Sequence, residues 1–207
     1  MKDIRISLSL KKVTLLVIWF SIFFKINFGV IRGTFFLTLL ENNQILLNLI
    51  MIFLVYLLCK QELNQSLKEL NISMLKKVGA ILAILLLINY IYMSSVFGSF
   101  EVSPQRYDFT MLVASIAIAP LKEELIYRYL FLGMTNSKWS KLILGIVSAL
   151  LFFYAHRFAY GGNILAMIQV LFLTVGTTYL YLKTKNIFSA VLLHSFYNLF
   201  IIIISLI

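Results

Sequence analysis

Charge is scarce in this sequence. Charged residues make up 13% of the 207 positions and hydrophobic ones 61%, where a soluble domain carries about 25% charged residues. No polar stretch is long enough to fold as a separate soluble domain, so one membrane domain is expected. Cys59 is the sole cysteine, which excludes an intramolecular disulfide and any thiolate metal site. There is no HExxH, the commonest helical zinc-protease signature. No small-x-small cleavage site follows Lys25, where the chain reads Ile26-Asn27-Phe28, so the first apolar run is expected to be a retained span. Proline is confined to two positions, of which Pro120 falls inside a hydrophobic run.

What is abundant is apolar sequence in runs of about 18 or more residues, each long enough to cross a bilayer as a helix. The fold class expected is an all-α polytopic bundle of seven spans, near 13–31, 43–59, 78–97, 109–134, 142–159, 164–182 and 187–207. An eighth arises if the fourth is split at Pro120. Residues 60–77 are polar with Leu63, Leu67 and Leu70 at helical spacing, which predicts a cytoplasmic amphipathic helix on the membrane surface. The halves are 1–108, carrying no motif, and 109–207.

The formal charge of +10 raises nucleic-acid binding as a function. The basic residues instead lie between apolar runs, with no basic face interleaved with exposed aromatics, so anionic inner-leaflet head groups are the expected partners. With the N-terminus cytoplasmic, twelve lysines and arginines fall on the inner side (Lys2, Arg5, Lys11, Lys12, Lys60, Lys68, Lys76, Lys77, Lys138, Lys141, Lys183, Lys185) and three on the outer (Arg32, Arg106, Arg157). That asymmetry is the one the positive-inside rule requires. Lys25, Lys122 and Arg128 remain within apolar segments.

Six of the eight acidic residues fall in loops or at span ends, but Glu123 and Glu124 lie near the middle of the fourth span. The two histidines, His156 and His194, fall within the fifth and seventh. An ionisable side chain at mid-bilayer costs about 2.5–3.5 kcal/mol on insertion scales. Four such groups and Arg128 are therefore expected to converge on one polar cavity. Glu124 and Arg128 are spaced i, i+4, as are His194 and Asn198, and Phe152 and His156, so each pair shares a helix face. Pro120 lacks an N–H and is expected to free the carbonyl of Ile116, four residues before it. Such a break is tolerated where it lines a cavity.

Adjacent carboxylates in low dielectric do not both ionise easily without a cation, and Arg128 is placed to compensate one. A carboxylate that takes a proton from water, with histidines that donate to a developing oxyanion, suits this set. Ser195 adjoins His194, but sequence neighbours on a helix point about 100° apart, which argues against a serine triad.

Glu123-Glu124-Leu125-Ile126-Tyr127-Arg128 reads as EExxxR, Phe152 to His156 as FxxxH and His194 to Asn198 as HxxxN. In this order the three resemble the motifs of the CAAX protease and bacteriocin-processing family, over roughly 109–207. The resemblance implies an intramembrane endopeptidase with Glu123 as general base. Glu124 and Arg128 would support its charge and orientation. His156 and His194 would bind water or stabilise the oxyanion, Asn198 would donate to it, and Phe152 would pack behind His156. A metal-free mechanism is expected, with zinc on Glu123, His156 and His194 as the alternative. The resemblance further implies a multi-pass protein of a bacterial cytoplasmic membrane, acting on a peptide or membrane protein in bacteriocin self-immunity or peptide processing. A non-catalytic membrane scaffold and a small proton-coupled transporter are the competing readings. One tension is internal to the span assignment, which puts the two histidines at depths differing by roughly 10 Å.

Overall fold

The structure, a computed structural model, describes residues 9–27, 43–98, 108–157 and 159–205. Among these, seven helical segments follow one another with no strand: α1 (Leu10–Asn27), α2 (Gln44–Lys68), α3 (Ile72–Phe97), α4 (109–133), α5 (Lys138–Ala155), α6 (Ile164–Thr184) and α7 (Ile187–Ser205). Five of them (α2, α3, α5, α6 and α7) are long and apolar enough to cross a membrane. Large apolar side chains such as Val17, Leu57, Ile84, Leu150 and Val175 are more than half exposed. A water-facing surface does not carry so many, and a lipid-facing one requires them. The end of the first predicted span, and Arg32, Glu41, Glu101 and Arg106, lie outside the described residues, as does the side chain of Lys25.

The helices begin where short polar side chains can take up orphan amides. Asn71 accepts from Met74 N–H, Asp108 from Met111, Ser137 from Ser140, Asn163 from Ala166 and Asn186 from Ser189. The stretch 60–77 is helical over 60–68, beyond a kink at Cys59, and again from Ile72, where α3 begins after the Asn71 cap. The 60–68 segment packs on the bundle: Leu63 and Ser66 are buried, and Asn186 and Ile187 donate to the Ser66 carbonyl and hydroxyl.

The start of α1, the end of α2, the end of α4 and the α6–α7 turn meet at one end of the bundle. Lys11 and Lys12 hold the two oxygens of Glu62 at 2.5 and 2.8 Å, and the Tyr129 hydroxyl donates to the same carboxylate at 2.6 Å. The charge pattern assigned these same helix ends to one side.

The fourth span is the irregular one. An α-helical start (Phe109–Val113) passes into a π-helical turn (Ala114–Ile118), returns to α-helix (Ala119–Glu124), widens again (Leu125–Leu130) and closes on Phe131–Gly133. Pro120 does not split it into two spans. The carbonyl taken up by an outside donor is that of Ser115, five residues before Pro120, and not Ile116. In a π-helical turn each carbonyl waits for the amide five residues on. Ala119 N–H satisfies Ala114 that way, and proline at 120 has no N–H to offer Ser115. The Asn198 amide supplies it at 2.9 Å. In the second π-helical turn the Ser148 hydroxyl of α5 donates to the Tyr127 carbonyl.

Candidate active site

Glu123 and Glu124 close the α-helical stretch between the two π-helical turns. Glu124 is fully buried, and its Oε1 is shared by Arg128 Nη1 at 3.2 Å, one turn on, and by His194 Nδ1 of α7 at 2.8 Å. Arg128, also fully buried, reaches α6 through Nη2, which donates to the Thr174 carbonyl at 3.4 Å. Its guanidinium carbon lies 4.7 Å from the centre of the Phe152 ring.

Glu123 is slightly more open, at 14% exposure. Its Oε1 lies 3.1 Å from Lys122 Nζ, and its Oε2 lies 3.9 Å from His156 Nε2 and 3.9 Å from His194 Nε2. Both imidazoles therefore address one carboxylate oxygen, and they cannot be as far apart as the depth estimate implied. His156 is not inside its span but caps it, just after Ala155. Its ring turns back along α5, with Nδ1 2.8 Å from the Phe152 carbonyl and the ring 4.4 Å from that of Phe152. A turn is about 5.4 Å, so folding back recovers much of the depth difference.

Phe152, fully buried, is surrounded by the cluster. Its ring lies 4.4 Å from His156, 5.0 Å from Tyr127 and 6.0 Å from His194, centre to centre. The aromatic thus packs behind both histidines and beneath the arginine. Asn198 sits apart in function: its observed bond goes to the backbone of α4, so any donation to an oxyanion has to come from its second amide hydrogen.

The partners assign the tautomers. A carboxylate and a carbonyl accept, so the Nδ1 of each histidine carries a proton, and in the neutral ring Nε2 is then an acceptor. Glu123 Oε2 thus has two such acceptors, the Nε2 atoms, each 3.9 Å away. A water placed among these can donate to two of the three. A histidine of this tautomer donates from Nε2 only after it has taken up a proton, which narrows the oxyanion role expected from sequence.

Residues 105–200 match the family model of type II CAAX prenyl endopeptidase Rce1-like proteins. Over these residues, somewhat less than half of the chain, it is similar to the CAAX protease family. No curated protein and no solved structure matches it. The CAAX-type segment takes in every residue of the acid–histidine cluster, and with the long apolar helices it marks a multi-pass membrane protein of an endopeptidase family. The helices α1, α2 and α3 precede it.

A zinc ion would draw on Glu123 and both Nε2 atoms, whose Nδ1 bonds are of the kind that orient metal ligands. The separations do not match. Ligands at 2.0–2.1 Å in a tetrahedron stand about 3.3 Å apart, whereas here they stand at 3.9 Å. Among the described residues no three such side chains are placed to hold a metal.

Four contacts of the site have little or no trace in the motifs. Lys122 stands out in sequence as a cation in an apolar run, but nothing there names its partner. Trp19, Ser115 and the Thr174 carbonyl act through packing between helices or through the backbone, for which a single sequence carries no signal.

Proposed function

We propose that this CAAX-type protein is an intramembrane endopeptidase in which Glu123 activates the water that attacks a peptide bond. The observation that carries the reading is the single oxygen, Glu123 Oε2, set 3.9 Å from two imidazole nitrogens. Its neighbour Glu124 is meanwhile locked by Arg128 and His194.

Water that donates to Glu123 and to one imidazole gives a proton to Glu123 as its oxygen attacks the scissile carbonyl carbon. The C–O bond forms, the C=O π pair moves to oxygen, and a tetrahedral oxyanion results. Asn198, through its second amide hydrogen, is the donor offered to that oxyanion. The proton on Glu123 then passes to the leaving amine as the C–N bond breaks. Glu124 and Arg128 take no part in bond making. They hold His194 in the tautomer that presents Nε2.

The substrate class is a peptide or membrane protein reaching the site from within the bilayer of a bacterial cytoplasmic membrane. Processing of a secreted peptide, or self-immunity to a bacteriocin, is the role such small family members suggest. The test uses the full chain in anionic-lipid liposomes with a panel of internally quenched peptides, one of them a farnesylated CAAX peptide. Wild-type protein is expected to cleave at least one. Glu123→Ala and His194→Ala should each lose about 10²-fold or more in rate while remaining folded by circular dichroism. Immunity retained in both variants, with no cleavage by any form, would establish the non-catalytic scaffold instead. Loss of cleavage on chelation, restored by zinc, would overturn the metal-free route.

A further inference from the structure

We infer that Lys122 is a positioning residue for Glu123 and that Trp19 of α1 holds it there, so that the site is completed from outside the 105–200 match. The consequence for rate rests on the endopeptidase reading; the contact itself rests on geometry.

Sequence neighbours on a helix project about 100° apart, so position 122 has no intrinsic reason to meet position 123. A lysine stem in a membrane ordinarily carries its ammonium away to water or head groups. Here the side chain stays in, at 12% exposure, with Nζ 3.1 Å from Glu123 Oε1. The same Nζ stands 5.3 Å from the centre of the Trp19 ring. Trp19 is 3% exposed and belongs to the core that also includes Leu125, Ile126 and Phe152. A buried ammonium is costly unless its charge is met, and here a carboxylate and an indole face both meet it.

The arrangement gives each of the two adjacent carboxylates its own cation, Arg128 for Glu124 and Lys122 for Glu123. It also decides which oxygen works. The terminal torsion of a glutamate is broad and two-fold, so an untethered carboxylate would present either oxygen to the histidines, or neither. With Oε1 held by Lys122, Oε2 is the one that faces both Nε2 atoms.

The experiment uses full-length protein and a peptide that the wild type cleaves. Lys122→Met is expected to lower kcat about 10-fold or more while KM stays within about twofold, since the interaction lost orients the base and does not bind substrate. Lys122→Arg, which keeps the charge, should recover most of the rate. Trp19→Leu should lower kcat in the same sense as Lys122→Met, and adding it to Lys122→Met should cost little more. A second readout needs no substrate. In a Trp139→Phe background Trp19 is the remaining tryptophan, and Lys122→Met should change its emission in folded protein. An unchanged Trp19 spectrum, or wild-type kcat in Lys122→Met, overturns the inference. If wild-type protein cleaves no peptide in the panel, the endopeptidase reading fails and the Trp19 spectrum alone decides the contact.

Discussion

At the scale of single residues, the Glu124–Arg128 pair is the most exacting feature of the molecule. Both side chains are wholly buried, and Arg128 reaches two other helices through Thr174 and Phe152 while sharing the Glu124 carboxylate with His194. Removing one partner leaves an uncompensated charge in low dielectric, so Arg128→Met is expected to destabilise the fold by about 3–5 kcal/mol. Arg128→Lys should recover little of this, because one point charge cannot serve a carboxylate and a carbonyl while stacking on a ring. Glu124→Gln combined with Arg128→Met should lose less than the sum of the two changes. Thermal unfolding in detergent, with each variant beside wild type, measures all of these. This pair was legible in the sequence because i, i+4 spacing fixes neighbours on one helix. The same rule paired His194 with Asn198, yet each bonds elsewhere, to Glu124 and to Ser115. Spacing says which residues share a face and is silent on what that face meets.

At the scale of elements, hydropathy placed seven helices in order, but it could not see where packing extends or stops them. The polar stretch 60–68, helical beyond the Cys59 kink, packs on the bundle through Leu63 and Ser66, and α5 ends one residue before His156. The two π-helical turns of α4 left one mark in sequence, Pro120. Helix contacts offer a sharp test at Gly176 of α6, where an added Cβ would come within 2.7 Å of Leu85 Cδ1 on α3. Gly176→Ala forces that side chain to move and should cost about 1–3 kcal/mol. Leu85→Ala in the Gly176→Ala background should cost less than Leu85→Ala alone, because the new methyl fills part of the space vacated. Thermal midpoints of the four chains give the coupling. Equal costs of Leu85→Ala in both backgrounds would show that α3 and α6 do not meet as described.

At the scale of the whole molecule, the family match and the machinery do not have the same extent. The match covers residues 105–200, while Trp19, Lys12, Glu62, Ser66 and Leu85 reach into or brace that segment from before it. The N-terminal half carries no motif, and its contribution was illegible because it lies in contacts made after folding. A fragment of residues 105–207 expressed alone is therefore expected to show no cleavage and no cooperative unfolding. Co-expression with a fragment of residues 1–104 should restore both in part. Full activity from the shorter fragment would mean that α1, α2 and α3 serve another purpose.

The irregular backbone of α4 has a bearing on biogenesis. A membrane helix normally satisfies its own carbonyls as it leaves the ribosome, and can partition into lipid alone. This one does not do so fully, since the Ser115 carbonyl takes its donor from Asn198, and the Tyr127 carbonyl also accepts from Ser148, both in helices synthesised later. The segment that carries both acids thus has reason to linger at the insertion machinery until α5 and α7 arrive. The two helices it awaits are the ones that bring the histidines. Hydrolytic competence would then appear at the end of assembly, and a nascent membrane would not meet a half-built protease.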